Sequence, residues 1–200
     1  MKKIKRLLIG SINSLWAGVM IAVGAVIYLN CPNKIVGSFL FSIGLIVIIN
    51  FGFSLYTGII GYVRSAKSVA IAIGTMIMNC VGCSFIALVP TSGANELMQA
   101  KLSGGLPSAF IKAVICGVLI FVCVACKKDI RITMLAIPAF ILSGAEHSIA
   151  DAAFAIASKS INSKTIIFLL VVAGGNAVGA LAISIWLDVR NKLMKGISQE

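Results

Sequence analysis

Apolar residues along this chain neither alternate nor fall into one-faced stripes. They run continuously, and polar residues gather between the runs. Six runs stand out, roughly Leu7–Leu29, Ile35–Val63, Val69–Val89, Ala109–Cys126, Ile132–Ala157 and Ile166–Leu187. A helix needs ~20 apolar residues to cross the hydrocarbon of a bilayer, so each run predicts a membrane-spanning helix. The connections are short and leave no room for a soluble domain. The expectation is one transmembrane domain over residues 1–200.

Composition agrees with the pattern. Of 200 residues, 60% are hydrophobic and 12% charged, more apolar surface than one soluble core of this size hides. The net charge of +11 does not point to nucleic acid, because the cations sit at the ends of apolar runs and form no stripe on one helix face. MKKIKR before the first run resembles a secretory signal, but five further runs follow and no small-residue cleavage site is evident, so the first run reads as a retained span. Lysine and arginine then set the orientation. Lys2, Lys3, Lys5 and Arg6, then Arg64 and Lys67, then Lys127, Lys128 and Arg131, then Arg190, Lys192 and Lys195 fall on one side. They far outnumber Lys34, Lys101, Lys159 and Lys164 on the other, while Lys112 falls near a helix end. Both termini are expected in the cytoplasm and the protein in the cell membrane.

Division near residue 100 leaves three spans in each half. The third span of the first half carries Asn79-Cys80-Val81-Gly82, and the third of the second half carries Asn176-Ala177-Val178-Gly179. A shared Asn-x-Val-Gly is weak alone, but its equivalent placement argues for two inverted three-helix repeats, a plan common among transporters and channels. The second span of each half adds to this: one carries GFSLYTG (52–58), the other GAEHSIADA (144–152). Glycine and polar residues in corresponding helices favour breaks, where unwound backbone lines a cavity. The alternative is an intact helix with glycines for close packing.

His147, the sole histidine, stands beside Glu146 and near Asp151 inside an apolar run. Ionisable groups at bilayer depth cost at least ~2.5–3.5 kcal/mol each on insertion scales and normally face a polar interior. Glu146 reads either as a second pore group or, in the favoured reading, as a structural carboxylate accepting backbone N–H bonds at the helix break.

Three motifs carry a resemblance to the formate/nitrite transporter family of formate, nitrite and hydrosulfide channels. GAEHSIADA resembles its Gly-Phe-Glu-His-Ser-Ile-Ala-Asn signature, LYTG its Leu-Phe-Thr loop, and GGNAVGA its Gly-Asn-x-x-Gly stretch. The resemblance covers nearly the whole chain and implies an aquaporin-like, all-α protomer with six transmembrane helices, the second and fifth broken. It also implies a homopentamer in membrane lipid, one pore per protomer, and passage of small monovalent anions or their conjugate acids, with no cofactor. By this resemblance the pore histidine falls on His147, the loop threonine on Thr57, the helix-six asparagine on Asn176 and the vestibule lysine on Lys101. The apolar constrictions fall on Phe41, Leu45, Tyr56 and Phe140. The chain departs from the pattern at several places. Tyr56 brings a hydroxyl to a ring expected to be dry, Ala145 replaces an aromatic residue, and Asp151 stands where asparagine is usual. Ser54 and Ile59 replace an acidic residue and an asparagine.

The expected chemistry is concentration of the anion in a positive vestibule to which Lys101 contributes. Thr57, Asn176 and His147 then offer donors between the constrictions. An apolar ring opposes a bare anion by several kcal/mol and a neutral acid far less. Cys80-x-x-Cys83 and Cys123-x-x-Cys126 would read as zinc ligands in a soluble protein. Inside apolar helices they read as soft packing residues. A proton-coupled transporter of short monocarboxylates is the rival reading, and a membrane-embedded enzyme using Glu146 and His147 a weaker one, since no second histidine is present.

Overall fold

The structure is a computed structural model and describes residues 2–126 and 129–197. Lys127 and Lys128, counted above, lie outside the described residues. Every regular element among the described residues is helical. In chain order these are α1 (Lys2–Asn30), α2 (Lys34–Phe51), α3 (Tyr56–Ile59), α4 (Ala66–Cys83), α5 (Ala94–Ser103), α6 (Leu106–Ala125), α7 (Ile130–Leu142), α8 (Ser148–Ala157) and α9 (Ser163–Ile197). A 3-10 turn, Ile60–Tyr62, follows α3, and another, Ser84–Leu88, extends α4.

Among the described residues, five stretches are long and apolar enough to cross a bilayer: Ile4–Asn30, Lys34–Phe51, Ala66–Leu88, Leu106–Ala125 and Ser163–Ile197. The fifth expected span is divided between the shorter apolar helices α7 and α8. The sequence explains the endings. Pro32 cannot continue α1, and Asn33 caps α2 by accepting the Ile35 and Val36 N–H groups. Gly52 closes α2 in the left-handed conformation (φ 68°), and Gly144 does the same after α7 (φ 70°). Ser65 and Ser68 form a reciprocal capping box at the start of α4. No breaker stops α9 at the expected Leu187, so it runs on through Arg190, Lys192 and Lys195.

Large apolar side chains such as Leu7, Ile71, Ile115 and Leu170 point outward from the helices, the arrangement of a multi-pass membrane protein. Within the fold, α1 packs on α2 and α4, and α6 packs on α7 and α9. The short helices cross over: α8 packs on α1 and α4, and α3 packs on α6 and α9. Close approach depends on glycine. A methyl on Gly18 of α1 would overlap the Asn79 carbonyl of α4, and one on Gly82 would overlap the Leu15 carbonyl. In the second half, Gly117 of α6 sits likewise on the Asn176 carbonyl of α9, and Gly179 on the Val114 carbonyl.

Candidate functional site

Between α2 and α3, and again between α7 and α8, the chain leaves helical geometry inside the protein, and the freed backbone groups need partners. One asparagine serves each place. Asn79 donates to the Ser54 carbonyl (3.0 Å) and the Ser14 carbonyl (2.7 Å), and accepts the Tyr56 N–H (2.8 Å). Asn176 donates to the Glu146 carbonyl (2.8 Å) and the Ala113 carbonyl (2.9 Å), and accepts the Ser148 N–H (2.9 Å). Both donor hydrogens of Asn176 are thus engaged by backbone, which differs from the expected role of a donor to the permeant. The reason is that buried carbonyls at helix ends outcompete a transient ligand.

His147 is the N-cap of α8. Its Nδ1 accepts the Ala150 N–H at 3.1 Å, and its Nε2 lies 3.0 Å from Thr57 Oγ1 at the start of α3. An amide N–H can only donate, so Nδ1 carries a lone pair, and the proton of the neutral ring sits on Nε2. Nε2–H donates to the Thr57 hydroxyl, whose own proton is left to donate elsewhere. His147, Thr57 and Asn176 are all buried.

The aromatic positions gather next to this centre. Phe41 of α2 meets Phe140 of α7 edge to face at 6.3 Å, and Phe140 stacks on the His147 ring at 5.9 Å. Leu45 is fully buried one helical turn beyond Phe41. Tyr56 donates its hydroxyl to the Ala173 carbonyl of α9 at 3.0 Å, which satisfies the polar atom and leaves the ring as an apolar surface.

On the far side of the Phe41–Phe140 pair lies a cavity of about 190 Å³, also bordered by Lys101, Lys112, Glu146 and Asp151. That is space for about six waters at ~30 Å³ each. Lys101 of α5 ion-pairs with Glu146 and, at 2.9 Å, with Asp151 of α8. All three are sequestered, with side chains 13%, 4% and 1% exposed. The Glu146 carboxylate therefore meets an ammonium and not the backbone N–H groups expected of it, because a buried carboxylate gains most from a full counter-charge. The six cysteines are free thiols; Cys80 and Cys83 lie on α4, Cys123 on α6, and Cys126 just past its end.

These features define a multi-pass helical membrane protein with a buried polar centre between aromatic side chains. The family model for formate/nitrite transporters matches residues 2–189, and the chain belongs to that family. An FNT family ion channel shares the fold with a TM-score of 0.78 at 22% identity, covering 91% of this chain and 89% of that one. A pentameric formate channel with formate bound has a TM-score of 0.78 at 18% identity, with coverage of 94% and 98%. A comparison with curated proteins gives no match.

Proposed function

We propose that the protein is a membrane channel for small monovalent anions or their conjugate acids, of the formate, nitrite or hydrosulfide type, and not an enzyme. The observation that carries this reading is the Thr57–His147 bond. It joins the start of α3 to the residue that caps α8 and leaves a hydroxyl proton unspent near an aromatic pair. An anion that reaches this point has shed water. Thr57 O–H and the adjacent Nε2–H replace part of that hydration. Phe41 and Phe140, with Leu45 and Tyr56, exclude bulk water. The permeant crosses them as the conjugate acid or as an anion neutralised by these donors, since a bare ion loses several kcal/mol there.

Residues 1–200 act as one transmembrane domain of six spans in two inverted three-helix repeats. Spans two (α2 and α3) and five (α7 and α8) are broken. The paired asparagine bonds and the paired glycine crossings support this plan. Lys101, Glu146, Thr57, His147 and Asn176 make up the polar path and its supports. The formate channel of like fold is a pentamer, and we extend that assembly to this chain, with one path per protomer, set in the cell membrane with both termini cytoplasmic.

The test is solute flux in proteoliposomes over a panel of formate, nitrite, hydrosulfide and short monocarboxylates, with His147→Phe as the blocked control. Wild type is expected to pass at least one member above lipid background and His147→Phe none. Absence of wild-type flux for every member overturns the proposal.

A further inference from the structure

Two ammonium groups border the cavity outside the Phe41–Phe140 pair, and they are in different electrostatic states. Lys101 is spoken for: Glu146 and Asp151 both pair with it, so two carboxylates surround one cation in a buried cluster. Such a cluster offers an incoming anion no net attraction. Lys112 of α6 is half-buried, and its side chain has no ion pair or hydrogen bond among the described residues. Its Nζ would lie 3.9 Å from a methyl placed on Gly144, so the missing side chain there leaves the amine room at the cavity wall. The Lys112 carbonyl accepts the Glu146 N–H at 3.4 Å, which seats this turn of α6 directly against the α7–α8 connection.

Resting on the anion reading above, we propose that Lys112, and not the ion-paired Lys101, is the cation that receives the permeant anion in the outer cavity. Glu146 alone offsets the charge of Lys101, and Asp151 adds a second acidic neighbour to the cluster. Lys112 stands about 9 Å along α6 from its first residue. That is near enough to the end for a long stem to reach the cavity mouth. Charge focused in a concave apolar mouth raises the local concentration of an oppositely charged solute.

Formate influx into proteoliposomes tests this with three variants: Lys112→Met, Lys112→Gln and Lys112→Arg. Lys112→Met is expected to lower influx at sub-saturating formate by about tenfold and to remove most of its ionic-strength dependence. Lys112→Gln, which keeps the stem in a different polarity, guards against misfolding of the first variant and is expected to match it. Lys112→Arg, which keeps the charge, is expected to stay within about twofold of wild type. Wild-type influx in either neutral Lys112 variant overturns the proposal, and so does an equal loss in Lys112→Arg. Failure of the anion reading itself looks different, because wild type then passes no anion of the panel.

Discussion

Asn79 on α4 and Asn176 on α9 make the same three hydrogen bonds in the two halves of the chain. Each donates to a carbonyl of the first helix of its half and to a carbonyl just outside the short helix, then accepts the N–H two residues on. The bracketed residue is Leu55 in one half and His147 in the other. The short helices, and with them Thr57 and His147, are therefore aimed by asparagines that need not touch the permeant.

Replacement by leucine separates a clamp from a substrate donor. Asn176→Leu strands two buried carbonyls and one N–H, each worth about 1–3 kcal/mol when left unpaired. The expected outcome is loss of assembled protein and a lower thermal midpoint in detergent, with Asn79→Leu behaving alike. Normal assembly and stability with reduced flux would instead mean that the Asn176 amide faces the permeant.

How much of this was legible in the sequence depends on the kind of interaction. The spans were readable because a bilayer imposes one long apolar run per helix, and the equivalence of Asn79 and Asn176 was readable from their shared Asn-x-Val-Gly context. What the amides bond to was not, because those partners are backbone groups, which carry no sequence signal. The fifth run is continuous in hydropathy, and its break was signalled by Gly144 with Glu146 and His147; Gly144 is left-handed where α7 stops. Thr57 and His147 are 90 positions apart, and motif resemblance was the signal that paired them. Lys112 counts in sequence as one more cation near a helix end. Its standing in the cavity follows from where Glu146 and Asp151 point, which the fold decides.

Thr57 should be sensitive to its hydroxyl and indifferent to its methyl. Thr57→Val keeps the shape but leaves the His147 Nε2–H without its acceptor and removes the donor offered to the anion. Flux is expected to fall about tenfold or more, the scale of one hydrogen bond to a charged group. Thr57→Ser should stay close to wild type. Equal flux in the Val and Ser variants would place the path elsewhere.

Tyr56 offers the opposite contrast. Its hydroxyl is committed to the Ala173 carbonyl, so Tyr56→Phe removes a bond and leaves the ring surface unchanged. The expected result is wild-type flux and selectivity with a stability loss of about 1 kcal/mol, read as a modest drop in thermal midpoint. A change in selectivity would show that the hydroxyl turns toward the permeant during passage.

The bonds of His147 determine which substitutions are informative. The ring does two jobs: Nδ1 caps α8 through the Ala150 N–H, and Nε2–H holds Thr57. Asparagine can keep the first, since its side-chain oxygen is among the favoured N-cap acceptors, but it is too short to keep the second. His147→Asn should therefore assemble as wild type does while lacking any titrating group at the centre. Phenylalanine keeps neither bond and fills the space, so His147→Phe should block flux and weaken the start of α8 by about 1 kcal/mol. In wild type, acidification that protonates the ring removes the Nδ1 lone pair and turns the Ala150 N–H from partner to opponent. The central donor set is then rearranged, and flux acquires a pH dependence beyond that of the solute's own protonation. Flux against external pH, in matched liposomes of wild type and His147→Asn, isolates this component as the difference between two curves. Curves that superimpose across the acidic range would mean that His147 stays neutral throughout and serves the channel as a cap and a tether alone.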